Sequence, residues 1–206
     1  SSDVCSSDLQ THVGSRILQF AGSTIALGRD GAIWVGGLET KQSDDASRPF
    51  HTSRLLAKLD GTSGDLIWLS EKLYDGSAAD GFSMLIDNQG NCLLVESVYL
   101  MSGTYYILRK INPSGEEVWS TWFLPTFNPI SYTLDSMGNF YFTSAHAQTS
   151  VHLGPPYAPF DISTFKYDTE GKTVWAVREE IPRRNDDPYP AMAIHVDKAG
   201  SVTVQA

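Results

Sequence analysis

Adjacent carboxylates stand at Asp44-Asp45 and Asp186-Asp187, and His51, His152, Tyr157 and Tyr189 fall in similarly irregular stretches. Paired acids can give oxygens to a calcium ion, but a loop that wraps one ion needs alternating Asp-x-Asp-x-Asp with a terminal Glu, and neither pair has it. These eight residues therefore read as solvated loop groups available for contact with a partner. Of the five histidines, His146 and His195 lie in strand-like segments, and no HxH or HExxH pair occurs. Cys5 and Cys92 form no CxxC spacing, so neither zinc nor a disulfide framework is indicated. No serine sits in a GxSxG elbow and no GxxxxGK[ST] loop is present. The expected sets of catalytic, cofactor-binding and metal-ligating residues are empty, and the balance favours a non-catalytic chain.

Composition narrows the partners. The 206 residues are 41% hydrophobic and 19% charged, enough to build a core, and carry a formal charge of −9. That sign disfavours nucleic acid as a ligand. The longest apolar runs, such as residues 92–95 and 98–101, fall far short of the ~20 residues that span a bilayer as a helix, so membrane insertion is not expected. Residues 1–9 are Ser/Asp-rich without periodicity and read as a non-native or disordered tail.

Any binding residues must be positioned by a repeated element, because two anchors recur with a period of about 50 residues. The first is a turn leading into a strand: Asp87-Asn88-Gln89-Gly90, Asp135-Ser136-Met137-Gly138 and Asp197-Lys198-Ala199-Gly200, with a degenerate copy at Gly28-Arg29-Asp30-Gly31. The second runs from a lysine to a tryptophan: Lys58-Leu59-Asp60 through Gly64 to Trp68, Lys110 through Gly115 to Trp119, and Lys166 through Asp168 and Gly171 to Trp175. Apolar and polar residues alternate before the first turn (Phe82, Met84, Ile86; Ile130, Tyr132, Leu134), and apolar residues return at alternate positions after it (Ile33/Val35, Cys92/Leu94, Phe140/Phe142, Val202/Val204). Both are strand periods. The segments around the lysines and tryptophans supply a third and a fourth strand, and no helix is predicted. The lysines are expected to cover a strand edge or to pair with a carboxylate.

A four-stranded sheet that is apolar on both faces needs neighbours on both, and radial stacking of such sheets provides them. The expected fold is all-β: a β-propeller segment of four-stranded antiparallel blades, about three complete blades with partial blades at both ends. A β-sandwich is the runner-up. The motif Ala57-x-Leu59-Asp60-x-x-Ser63-Gly64-x-x-x-Trp68 resembles the tryptophan-docking motif of quinoprotein-type (PQQ-like) propellers, in which the tryptophan of one blade docks on its neighbour. The Asp-x-x-Gly-Asn turns and the shorter Asp168-x-x-Gly171-x-x-x-Trp175 form also resemble SBBP-type repeats of bacteria. The resemblance covers residues 22–206. It implies an extracytoplasmic setting (periplasmic, cell-surface or secreted) and structural roles for Gly31, Gly90, Gly138, Gly200, Asp60, Gly64, Trp68, Gly115, Trp119, Asp168, Gly171 and Trp175.

The blades are placed at about 22–73, 81–124 and 129–180, with a partial blade at 191–206 and residues 13–20 as a possible last strand of a preceding one. Residues 10–206 together read as an incomplete propeller whose remaining blades lie outside this chain. Alternating strand direction sends two kinds of connection to each end of the sheets. One set is tight; the other includes the long segments 40–52, 148–160 and 182–190 and is expected to carry binding. The functional expectation is a scaffold or binding module that presents this loop face to a protein or glycan, without a cofactor. The alternative is a fragment of a PQQ-dependent dehydrogenase-like or hydrolytic propeller enzyme, although the Cys-Cys pair typical of the former is absent from this sequence.

Overall fold

The computed structural model describes residues 9–13, 16–42, 50–74, 78–100, 103–123, 128–147, 160–181 and 193–205. Every regular element among them is a β-strand. The chain divides into two compact units, Ser1–Phe123 and Leu124–Ala206.

The first unit holds β1 (Leu9–Val13), β2 (Arg16–Leu27), β3 (Ile33–Gln42), β4 (Phe50–Leu59) and β5 (Leu66–Tyr74), paired in that order, followed by a four-stranded sheet of β6 (Ala78–Ile86), β7 (Cys92–Leu100), β8 (Gly103–Ile111) and β9 (Glu117–Phe123). The second holds a four-stranded sheet of β10 (Asn128–Leu134), β11 (Phe140–Ala147), β12 (Phe160–Tyr167) and β13 (Thr173–Ile181), then the pair β14 (Ala193–Val196) and β15 (Val202–Gln205). All pairings are antiparallel between consecutive strands. Residues 16–20 are the first part of β2, hairpinned to β1, rather than a strand of their own.

One turn design closes hairpins of both anchor types. In β6–β7, Asp87 N–H donates to Asn91 O and Gly90 N–H to Asp87 O; in β8–β9, Asn112 and Gly115 repeat the pattern with Glu116 O and Asn112 O. Each such turn places a glycine at positive φ (Gly90 at 80°, Gly115 at 92°), the three-residue hairpin whose last loop residue is left-handed. Asx side chains reinforce it: Asp87 Oδ1 accepts from the backbone N–H groups of Gln89 and Asn91 at 2.9 Å each.

Two irregularities recur and were not foreseen. The first strand of each four-stranded antiparallel set shifts register, midway along β2 between Ala21 and Thr24 and near the start of β6 and β10, between Ala79 and Gly81 and between Pro129 and Ser131. The tryptophan strand shifts just past the repeated lysine, so that Ile67, Val118 and Val174 each become an extra residue opposite one partner. These three apolar side chains are exposed, at 52%, 55% and 52%.

In the first unit the core lies between the two sheets. Trp34, Leu38 and Leu56 of the β2–β5 sheet pack with Met84, Cys92, Leu94 and Ile111 of the β6–β9 sheet in one buried cluster. On the other side of the same strands, Leu93, Val95 and Leu108 are also buried, at 2%, 7% and 0% exposure. The central strands β7 and β8 therefore bury side chains on both faces, while the described β9 side chains stay exposed or half-buried.

Candidate functional site

The long connections expected to bind lie mostly outside the described residues. Asp44, Asp45, His152, Tyr157, Asp186, Asp187 and Tyr189 all do. His51 lies in β4, in register with Lys41, and so belongs to a strand and not to the loop expected to carry it. The connections at that end are also unequal, since β7 and β8 are joined through residues 101–102 alone.

The opposite, tight-turn end is fully described and is organised by the repeated lysine. Lys58 faces Trp34 on one neighbouring strand and Trp68 on the other; Lys110 lies between Leu93 and Trp119, and Lys166 between Tyr141 and Trp175. Each ammonium reaches toward the turn before the second strand. Lys110 Nζ is 3.3 Å from Asp87 Oδ2, and Lys58 Nζ is 3.0 Å from Asp30 Oδ2. In the third copy Lys166 sits over the Tyr141 ring at 5.1 Å, and Tyr141 Oη donates to Asp135 Oδ2 at 3.0 Å, so a phenol stands between cation and carboxylate.

The degenerate first copy keeps the same function by a different route. Gly28 occupies the place of Asp87, and a Cβ there would meet Asp30 Oδ1 at 2.4 Å. Asp30 folds its carboxylate back into that space and accepts from Ala32 N–H, as Asp87 does from Asn91 N–H. The Lys58 hydrogen bond holds the Asp30 carboxyl below its usual range, with the Ala32 N–H adding to the effect. For Asp87 burial opposes ionisation, but hydrogen bonds from Asn91 and Gln89 and the charge of Lys110 outweigh it and its pKa is also lowered. These carboxylates are occupied by turn backbone and lysine, which leaves them poorly placed as acids, bases or metal ligands.

Tryptophan carries the contact between sheets. Trp68 Nε1 donates to Pro113 O at 2.9 Å, and a Cβ added to Gly115 would touch the Trp68 ring at 3.2 Å, so the indole of β5 lies on the β8–β9 turn of the next sheet. Its edge meets Trp34 at 5.1 Å. The homologous glycine of the preceding turn, Gly64, has nothing within 4 Å of its Cβ position.

Beside this dock lies a buried charge network that sequence reasoning missed. Glu96 of β7, 1% exposed, accepts from Arg54 Nη1 of the other sheet at 2.7 Å and from Arg109 Nε at 2.6 Å. Arg109 Nη1 reaches Glu117 at 2.8 Å, and Lys72 of β5 reaches the same carboxylate at 3.2 Å. Arg54 Nε is buried without a hydrogen-bond partner. The signal was present: Glu96 occupies an inward position of the apolar alternation Cys92, Leu94, Glu96, Val98, where a lone acid requires buried cations.

Chemistry beyond packing finds little support among the described residues. They hold no group of three or more His, Cys, Asp or Glu arranged to hold a metal. Cys92 is fully buried, and desolvation pushes its thiol far above the ordinary range, which makes it inert as a nucleophile. No helix among them is long and apolar enough to cross a membrane. The chain matches no protein-family model and no curated protein sequence.

Proposed function

We propose that the chain is a run of blades from a non-catalytic β-propeller of a bacterial surface, periplasmic or secreted protein, a rigid scaffold whose long connections engage a protein or a glycan. The observation that carries the reading is the burial of side chains on both faces of β7 and β8. A two-layer sandwich wets one face of each sheet, whereas serial stacking buries both. The docking of Trp68 on the Pro113–Gly115 turn supports it, since that contact joins one sheet to the next through the anchor that recurs at Trp119 and Trp175. The scaffold reading is favoured over an enzyme because the turn carboxylates Asp30, Asp87 and Asp135, the buried thiol of Cys92 and the repeated lysines Lys58, Lys110 and Lys166 are held in turns or packing.

The test is a binding screen on a glycan array and on immobilised bacterial surface proteins, using the chain and a variant whose segments 43–49, 148–159 and 182–192 are replaced by short Gly-Ser connections. The expected result is a ligand retained by the chain and lost by the variant, with thermal unfolding unchanged. Dye reduction that depends on added PQQ and calcium would overturn the reading in favour of the enzyme.

A further inference from the structure

β9 carries a second tryptophan, Trp122, which lies outside the long connections and is 57% exposed. It stands opposite Ile107, and its ring meets that of the half-buried Tyr105 edge to face, with centroids 6.3 Å apart and planes at 77°. Glu96, Val98 and Ile107 on the same face are buried, so the aromatic pair is mounted at the margin of the core. This face is the one turned to β4 and β5 of the same unit, whose Arg54 and Lys72 reach Glu96 and Glu117 on it. The exposure of Trp122 is therefore independent of where the chain begins or ends.

Aligning the repeated tryptophans and lysines places Trp122 with Glu71 and Arg178, and Tyr105 with Ser53 and Asp161. In the third copy Arg178 is ion-paired with Asp161, and it stands opposite Ser163 as Trp122 stands opposite Ile107. One slot thus takes a serine with a glutamate, an aromatic pair, and an ion pair. The hairpin needs no ring there, in contrast to the position three residues earlier, which is tryptophan in every copy. Polar groups flank the indole. Two residues back on the same face Ser120 hydrogen-bonds Glu117, whose carboxylate also takes Lys72 and Arg109.

We propose that Trp122 and Tyr105 form a stacking platform for a saccharide, specifically a neutral β-linked pyranoside. The equatorial hydroxyls of such a sugar leave axial C–H groups on a flat apolar face that lies on the indole, while hydroxyls at its rim reach Ser120 and the Glu117 carboxylate. The charges beside the platform are already paired, Lys72 and Arg109 on Glu117, which favours a neutral sugar over an acidic one. The platform is too small to be a protein interface by itself, since one aromatic side chain buries at most about 250 Å² against ~800 Å² per partner in a specific complex. A proline-rich peptide takes a groove lined by several aromatic rings, whereas this pair exposes one. The site lies on strands and not on the long connections, so it stands or falls apart from the scaffold reading.

The test is saturation-transfer NMR on the whole chain with chitohexaose, cellohexaose and decaproline as probes. At least one of the two saccharides is expected to bind, with transfer strongest at its ring C–H protons. Tyr105→Asp combined with Trp122→Arg installs the pair found at 161 and 178, so the hairpin stays tied, and is expected to weaken that binding about 10-fold or more with little change in the unfolding midpoint. Trp122→Glu, which installs the residue found at 71, is expected to weaken it equally, and Trp122→Tyr, which keeps an aromatic face, to hold it within about 3-fold. Binding of neither saccharide, undiminished binding by the double variant or by Trp122→Glu, or binding of decaproline alone overturns the proposal. Replacing segments 43–49, 148–159 and 182–192 is expected to leave this binding intact, so a ligand lost on that replacement reports the long connections and one lost with Trp122 reports the platform.

Discussion

The first unit closes the space beside its tryptophan with a turn and a buried ion network, while the second leaves the matching space open and lines it with Ile162, Val177 and one acid. The same sheet pattern thus accepts two interface chemistries. Charges in the first do not add stability in proportion to their number, because desolvating two guanidinium groups and a carboxylate offsets most of their attraction. What they add is register: Arg54 belongs to one sheet and Arg109 to the other, and only one alignment brings both onto Glu96.

The largest break in this comparison is Glu96→Gln. It leaves Arg54 buried without a counter-charge and Arg109 with Glu117 alone, and urea unfolding should show a loss of about 3–5 kcal/mol. Replacing Arg54, Glu96 and Arg109 together with Met, Leu and Met makes the first interface resemble the second. That variant should recover most of the loss or exceed the parent by about 1–4 kcal/mol. A triple variant no better than Glu96→Gln would show that the network is needed for stability and not for alignment.

Next in size is the tryptophan pair. Trp68→Ala should cost about 2–3 kcal/mol, less than truncating a fully buried indole because Trp68 is only partly covered. Trp175→Ala should cost under about 1 kcal/mol, since its groove is open. Trp68→Phe keeps the ring and removes the donor to Pro113 O, and should cost about 1 kcal/mol. Equal losses for Trp68→Ala and Trp175→Ala in thermal unfolding would erase the distinction between a closed and an open interface.

The parts of the molecule legible in the sequence are those fixed by local chemistry. The all-β class and the meander of antiparallel strands follow from alternation on either side of Gly90 and Gly138, and their turns from an Asx residue followed three positions later by a glycine. Asp30 shows the limit of reading by position: the motif has Gly28 where an Asp should stand, yet the carboxylate arrives from two residues downstream. Ile67, Val118 and Val174 escaped because a bulge adds one residue without changing composition. Glu96 escaped because the cations that justify it come from β4 and β8, separated from it in sequence by 42 and 13 residues. Gly61 escaped for a similar reason. A Cβ there would lie 1.8 Å from Gly31 O, a backbone contact between two turns that no local pattern announces.

A smaller effect separates two glycines with the same backbone requirement. Gly115 and Gly64 both have positive φ, so alanine at either should cost about 1 kcal/mol through backbone strain. Only at Gly115 does the new methyl also press on the Trp68 ring, at 3.2 Å, while the Gly64 position is empty. Gly115→Ala should therefore lower the unfolding midpoint more than Gly64→Ala, and the gap should vanish in a Trp68→Ala background. A gap that survives would place the difference in the turn and not in the dock.

The smallest effect is the pH dependence of the turn carboxylates. Asp87 has a folded pKa below its unfolded value of about 3.9, so the folded state binds this proton less readily than the unfolded one. Its contribution is then in full force above pH 3.9 or so and is lost as pH falls through the folded pKa. Asp135 behaves in the same sense, with burial again opposing and Asn139 and Tyr141 outweighing it. Urea midpoints should therefore be level between pH 5 and 7 and drop below about pH 4. Asp87→Asn keeps an acceptor for the turn N–H groups but removes the charge that faces Lys110. It should lower stability at neutral pH and flatten the acid limb, whereas Asp60→Asn, in a fully exposed turn, should do so less. An acid limb as steep in Asp87→Asn as in the parent would assign the pH dependence to groups outside the turns, and with it would go the view that these carboxylates belong to the frame and not to a site.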